Sequence, residues 1–160
     1  MKKERVLFLC TGNSCRSHMA EGFLRALGGD KFEAFSAGAK PTGHVHPLAI
    51  KAMNEAGVDI SGHTSKHLDV FDGQKFDYLI TVCDGAREAC PTYAGAAQQL
   101  HWSFNDPAQA TGSDERKMAV FRRVRDEIRT RVEEFVKTPP HPDPLPVNPE
   151  SFRGKAGARG

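Results

Sequence analysis

The chain has no apolar run long enough to cross a bilayer, which takes about 20 residues. Its opening run, Val6-Leu7-Phe8-Leu9, is also too short for the h-region of a signal peptide, although basic residues precede it. A cytoplasmic protein is expected. Charge of one sign is not in excess either: 22 Lys+Arg against 20 Asp+Glu leave +2, too little to imply nucleic acid or an anionic membrane as partner. Any anion must therefore be held locally. Cysteine is sparse, with four residues at positions 10, 15, 83 and 90. In a reducing compartment these do not form a permanent disulfide framework, which leaves metal binding, catalysis or packing. Internal repeats are absent. With 160 residues, 39% of them hydrophobic, the chain is long enough for one domain with its own core, and it is expected to be monomeric.

What is there reads as alternating strands and helices. Arg5 to Leu9 suits a buried parallel strand, and Thr11-Gly12-Asn13-Ser14 after it has turn chemistry. From Cys15 to Leu27, Met19, Phe23, Ala26 and Leu27 recur at helical spacing, and Gly28-Gly29 ends the helix. Phe32 to Ala37 predicts a second strand, Pro47 to Ala56 a helix stopped by Gly57, Phe76 to Val82 a third strand, and Gln99 to Trp102 a short fourth. Ser113-Asp114-Glu115 caps a long helix with Met118, Phe121, Val124, Ile128, Val132 and Phe135 at a 3.6-residue period. The order predicts a single α/β domain over residues 1–137: a central, mainly parallel four-stranded sheet flanked by helices, with ligands bound beyond the carboxyl ends of the strands. Residues 138–160, rich in proline and then glycine, predict an extended or disordered tail.

The chemistry gathers where the first strand ends. Cys10-Thr11-Gly12-Asn13-Ser14-Cys15-Arg16-Ser17 places a cysteine and an arginine with five residues between them at a strand-to-helix junction. A loop wrapping onto a helix amino terminus turns its N–H groups inward and adds the helix dipole, which makes a cradle for a tetrahedral oxyanion. Arg16 can grip two oxygens with its planar fork, and the same field favours the nucleophilic thiolate of Cys10, to which Ser17 can donate. Cys15 reads as a small buried hydrophobe within that loop. A second candidate is Asp106 in Asn105-Asp106-Pro107: the proline biases it to extended backbone, and its carboxyl could protonate the oxygen that leaves when Cys10 attacks.

These residues resemble the arsenate reductases of the low-molecular-weight protein tyrosine phosphatase superfamily. The likeness starts with Val6 to Gly22 and continues through Ser36-Ala37-Gly38, Asp59-Ile60-Ser61, His63-Thr64-Ser65, Thr81-Val82-Cys83, Cys90-Pro91, His101-Trp102-Ser103-Phe104, Asp106-Pro107 and Arg122 to Ile128. It spans about Arg5 to Lys137 and leaves out only the tail. The resemblance implies arsenate as substrate, thioredoxin as reductant and no tightly bound cofactor. It implies that Cys10 attacks arsenate while Arg16 and the loop hold it, that Asp106 is the general acid, and that Cys83 and then Cys90 carry the electrons away as disulfides. Seven helical steps would part the Cys83 and Cys90 Cα atoms by about 10 Å, and a disulfide needs roughly 7 Å or less. Residues 84–89 are therefore expected to be helical when reduced and to rearrange on oxidation.

The chief rival is a tyrosine phosphatase acting on phosphate monoesters, which shares the cradle but needs no second cysteine. Aromatic side chains beside the Asp-Pro would mark it, and here Pro107 is followed by Ala108-Gln109. A metal- or arsenite-binding protein is a further alternative, but His63 with His67 and His44 with His46 lack the cysteine pairs of a structural zinc site; these histidines read as surface or hydrogen-bonding groups, and no metal ligand is assigned. Members of the resembled family that bind potassium near the loop carry an acidic residue where this chain has Lys66. Asn13, Glu21, Ser36 and Thr64 match the other positions. Charge balance disfavours the ion, and Lys66 is expected to replace it, pairing with Glu21 and buttressing Asn13.

Overall fold

Runs in which every residue is apolar must be covered on both faces, and the first such run here becomes the second strand from one edge of the sheet. In a computed structural model, which describes residues 2–84 and 93–140, β1 is Glu4–Cys10, β2 Phe32–Gly38, β3 Phe76–Thr81 and β4 Ala96–His101. The sheet order is β2-β1-β3-β4, and every pair is parallel. The helices are α1 (Arg16–Gly28), α2 (Pro47–Glu55) and α3 (Asp114–Lys137). Side chains alternate across a strand, so Val6 and Phe8 enter a core with Met19 and Phe23 of α1, Met53 of α2 and Phe121, Val124 and Ile128 of α3. Leu7 and Leu9 point the other way, into a smaller cluster with Phe71, Phe76, Leu79 and Tyr93.

The long helix follows its pattern: Met118, Phe121, Val124, Ile128, Val132 and Phe135 are all buried, and the Ser113 hydroxyl accepts from the Arg116 amide at 3.2 Å. Burying side chains of this size contributes about 1.5–3 kcal/mol each, enough to fix α3 although its outer face is almost wholly charged. Gly57 ends α2's turn with φ +83, a backbone that only glycine adopts without strain.

The predicted bounds shift slightly. α1 begins at Arg16, β2 runs on to Gly38, and β3 stops at Thr81. The larger correction is β4, which starts at Ala96. As an edge strand it is half solvated, with residues alternating between partly buried and exposed, so Ala96 to Gln98 give no apolar signal. Two short 3₁₀ turns, Leu68–Phe71 and Pro107–Gln109, were also not foreseen; each is capped by the side chain before it, His67 and Asp106.

Among the described residues no helix is long and apolar enough to cross a membrane. α3 ends at Lys137, and the Tyr78 hydroxyl donates to the carbonyl of Pro140. The rest of the proline-rich segment, 141–160, lies outside the described residues, as do Cys90 and nearly all of the segment expected to rearrange.

Candidate functional site

Because β2 and β3 flank β1, the chain leaves β1 in opposite directions on its two sides, and a crevice opens beyond Cys10, the position where open parallel sheets bind ligands. The loop from Thr11 to Cys15 lines this crevice. Its carbonyls turn outward and each is taken up: Thr11 by the Lys40 amide at 2.8 Å, Gly12 by the Thr42 amide at 3.0 Å, Asn13 by His18 Nε2 at 3.0 Å and Ser14 by the His46 amide at 3.0 Å. On the inner side, the Asn13 amide faces the Cys10 sulfur. Asn13 is the one described non-glycine residue with positive φ, +45, a conformation asparagine tolerates better than most. Gly38, paired with Cys10 across β1 and β2, lets the loop pass: a Cβ there would lie 2.7 Å from the Thr11 carbonyl oxygen and 2.9 Å from the Asn13 nitrogen.

Cys10 is buried at 1% exposure and is a free thiol. The Asn13 amide donates to its sulfur at 3.2 Å, and the Ser17 hydroxyl lies 3.0 Å away. The Asn13 side chain fixes the sense of that second contact. Its Nδ2 donates to Ser17 Oγ at 2.8 Å, and its Oδ1 accepts from the Lys66 amide at 2.8 Å. Ser17 thus keeps its own hydrogen for a Cys10 thiolate. Cys15 is buried, and burial above all pushes its thiol well above the ordinary range, which suits packing rather than nucleophilic chemistry.

Arg16, from the first turn of α1, is 3% exposed and donates to the Phe104 carbonyl at 3.3 Å; its Nη2 lies 3.6 Å from Asp106 Oδ2. Asp106 has the extended backbone expected before proline, φ −81 and ψ 108, and its other oxygen caps the following turn by accepting from Ala108. The oxygen beside Arg16, Oδ2, is the one left to face the mouth of the loop. A cavity of about 310 Å³ opens there, lined by Arg16, Asp106, Ala108, Gln109, His44 and His46 among others. No Phe, Tyr or Trp lines it among the described residues. His46 serves locally as the cap of α2 and packs at a tilt against Phe121 with ring centroids 4.8 Å apart.

Cys83 lies just past β3, on the strand beside β1. The Val82 amide donates to the Leu9 carbonyl at 2.9 Å, so the chain reaches Cys83 alongside Cys10. Cys83 is fully buried and disulfide-bonded. Asp84 after it accepts from Asn105 Nδ2 at 3.2 Å, which ties this segment to the Asp106 loop.

Behind the loop, Glu21 accepts from Ser36 Oγ at 2.6 Å and from Arg25 Nη2 at 2.7 Å. Burial pushes its carboxyl up, but the surrounding bonds and charges outweigh this and hold it down at about 2. The expected pairing of Lys66 with Glu21 takes another form. Its ammonium donates to the carbonyls of Thr64 at 2.8 Å and Ser36 at 3.3 Å, while its backbone amide holds Asn13. With a lysine already on those carbonyls, the residues do not fit a potassium ion.

The sequence reading missed one cluster, because its members lie far apart in the chain. His18 Nδ1 sits 3.1 Å from His63 Nδ1, and both are 3.7 Å from Glu21 Oε1. These three metal-capable groups lie together, but the contact between the two rings already engages both Nδ1 atoms. His63 does not pair with His67, whose ring caps the Leu68–Phe71 turn.

Residues 5–140 match the model of the low molecular weight phosphotyrosine protein phosphatase family. The chain is 49% identical over 138 residues to an arsenate reductase of Halalkalibacterium halodurans, covering 86% of this chain and 99% of that protein. Among solved structures, an arsenate reductase in the phosphate binding state is similar with a TM-score of 0.68 at 36% identity, over 84% of this chain and 97% of that one. A thioredoxin-dependent arsenate reductase of Corynebacterium glutamicum gives 0.63 at 31% identity, over 85% of this chain and 61% of its own.

Proposed function

The chain belongs to the low molecular weight phosphotyrosine protein phosphatase family, and we propose that it is an arsenate reductase that works through three cysteines and is regenerated by thioredoxin. The observation that carries this reading is the juxtaposition at adjacent strand ends. Cys10 is a free thiol inside an oxyanion cradle, and beside it Cys83 is engaged in a disulfide.

Arsenate enters the loop and is held by the inward amides and by Arg16, which can bind two of its oxygens. The Cys10 thiolate attacks arsenic; an arsenic–oxygen bond breaks, and Asp106 gives its proton to the departing oxygen as water. This step forms a sulfur–arsenic bond without changing oxidation state. The Cys83 thiolate then attacks the Cys10 sulfur. The electron pair of the sulfur–arsenic bond stays with arsenic, which leaves as arsenite, two electrons reduced, and a Cys10–Cys83 disulfide remains. Attack by the Cys90 thiolate on Cys83 frees the Cys10 thiolate and moves the disulfide to Cys83–Cys90, where the dithiol of thioredoxin reduces it. The disulfide at Cys83, beside a free Cys10, supports a redox role for Cys83. The thioredoxin-dependent relative from Corynebacterium glutamicum supports thioredoxin as donor, and a reducing cytoplasm suits such a relay.

Hydrolysis of phosphate monoesters is the second reading, favoured by the cradle itself: Cys10, Arg16 and Asp106 would serve phosphate as well as arsenate. The absence of aromatic side chains among the described residues of the mouth makes this a side activity on aryl substrates.

A single-turnover experiment tests the proposal. Fully reduced protein mixed with arsenate and no reductant should yield one arsenite per chain and lose two of its four thiols, with Cys83 and Cys90 joined in the peptide map. Release of phosphate from a monoester, with no arsenite formed and all thiols retained, would make it a phosphatase.

A further inference from the structure

We propose that His63 and His18 form a hydrogen-bonded relay that positions the anion-binding loop by holding the Asn13 carbonyl, and with it the amide that faces Cys10. The proposal rests on Cys10 being the nucleophile. Of the four outward carbonyls of the loop, three are held by backbone amides, that of Gly12 also by the Ser65 hydroxyl at 3.3 Å, and that of Asn13 is held by a side chain, His18 Nε2. A carbonyl only accepts, so His18 carries its proton on Nε2 and, as a neutral ring, offers a lone pair from Nδ1. His63 Nδ1, 3.1 Å away, must then donate. The far side of His63 agrees: its Nε2 lies 3.0 Å from Arg25 Nη1, and a guanidinium only donates. The direction of every bond is thereby fixed, from Arg25 to His63 to His18 to Asn13.

Both rings must be neutral for this chain to exist. A second proton on His63 Nε2 would face the Arg25 donor, and one between the rings would set two N–H groups against each other. The groups facing His63 are Glu21, Arg25 and His18 from α1 and Asp59 and Lys66 from its own loop. Burial lowers the His63 pKa below its ordinary value, His18, Arg25 and Lys66 act in the same sense, and Glu21 opposes them. The held carbonyl belongs to the one described non-glycine residue in a left-handed conformation, a strained backbone that persists only where its surroundings over-determine it. The same residue donates its amide to Cys10 and its carboxamide to Ser17. Releasing its carbonyl therefore loosens both donors to the sulfur. Bonds running in one sense also polarise one another. His63 and His18 are positioning residues, since they act on the thiol through Asn13.

The test compares the whole protein with His63→Leu and His63→Gln. Leucine fills similar space without a hydrogen bond, whereas a glutamine amide can donate to His18 and accept from Arg25. His63 is partly buried in the loop after α2, and thermal unfolding checks that both variants fold. The rate of Cys10 alkylation by iodoacetamide, followed at that peptide across pH 5 to 9, reports its thiolate. We expect His63→Leu to slow it about fivefold at pH 7, the loss of about one hydrogen bond, and His63→Gln to stay within about twofold of the parent. Nitrogen-15 spectra should show His18 protonated at Nε2 in the parent and the glutamine variant, and mixed tautomers in the leucine variant. Parent-like alkylation by His63→Leu, or a parent His18 protonated at Nδ1, overturns the proposal. A parent Cys10 that resists alkylation and is dispensable for turnover overturns the nucleophile assignment as well, so the two failures are told apart.

Discussion

Gly38 backs directly onto Asn13: a Cβ at position 38 would stand 2.9 Å from the Asn13 nitrogen and 2.7 Å from the Thr11 carbonyl oxygen. Both neighbours are backbone and cannot swing aside. Gly38→Ala should therefore push the loop out of shape, destabilising the protein by about 1–3 kcal/mol, the usual range for overpacking, and lowering arsenate turnover by at least about tenfold, a loss of roughly 1.4 kcal/mol of transition-state stabilisation. Urea midpoints and steady-state rates on the same preparation check both.

Arg16 and Asp106 should lose activity for different reasons. Arg16→Lys keeps the charge but not the fork, so KM for arsenate should rise sharply. Asp106→Asn removes the proton donor while keeping the cap on Ala108, so kcat should fall by about 10²–10⁴-fold with KM little changed. A series with the two effects exchanged would contradict the assigned roles.

Potassium should not matter. Lys66 already donates to the Ser36 and Thr64 carbonyls, so rates and melting temperatures in potassium, sodium and choline chloride at equal ionic strength should coincide. A potassium-specific gain would show that the ammonium yields its place.

Acid should weaken the fold partly through Glu21. Its carboxyl titrates at about 2 when folded against an ordinary 4.5. A group with a depressed folded pKa stabilises above its unfolded value and loses that contribution as pH falls through the folded one. The stability advantage of the parent over Glu21→Gln should thus be full at pH 6 and shrink as pH falls from about 4.5 toward 2, as measured by urea unfolding at each pH.

The sheet and its cradle were legible because their signals are local. Val6 to Leu9 is apolar throughout, since both faces are covered, and Cys10 to Ser17 spans one turn of chain. β4 was hard to delimit because an edge strand carrying Gln98 and Gln99 has no buried run. Asp106 was found through its proline and the family likeness, although it meets Arg16 from 90 positions away. The His18–His63 contact had no signal at all. Spacing pointed instead to His63 and His67, but four-residue neighbours meet only on a helix, and the chain between them is irregular.

NADPH consumption through thioredoxin reductase and thioredoxin, with and without arsenate, tests the relay most directly. The parent protein should consume NADPH only with arsenate, and Cys10→Ser, Cys83→Ser and Cys90→Ser should each abolish turnover. Turnover that survives the loss of Cys83 or Cys90 would contradict the three-cysteine relay.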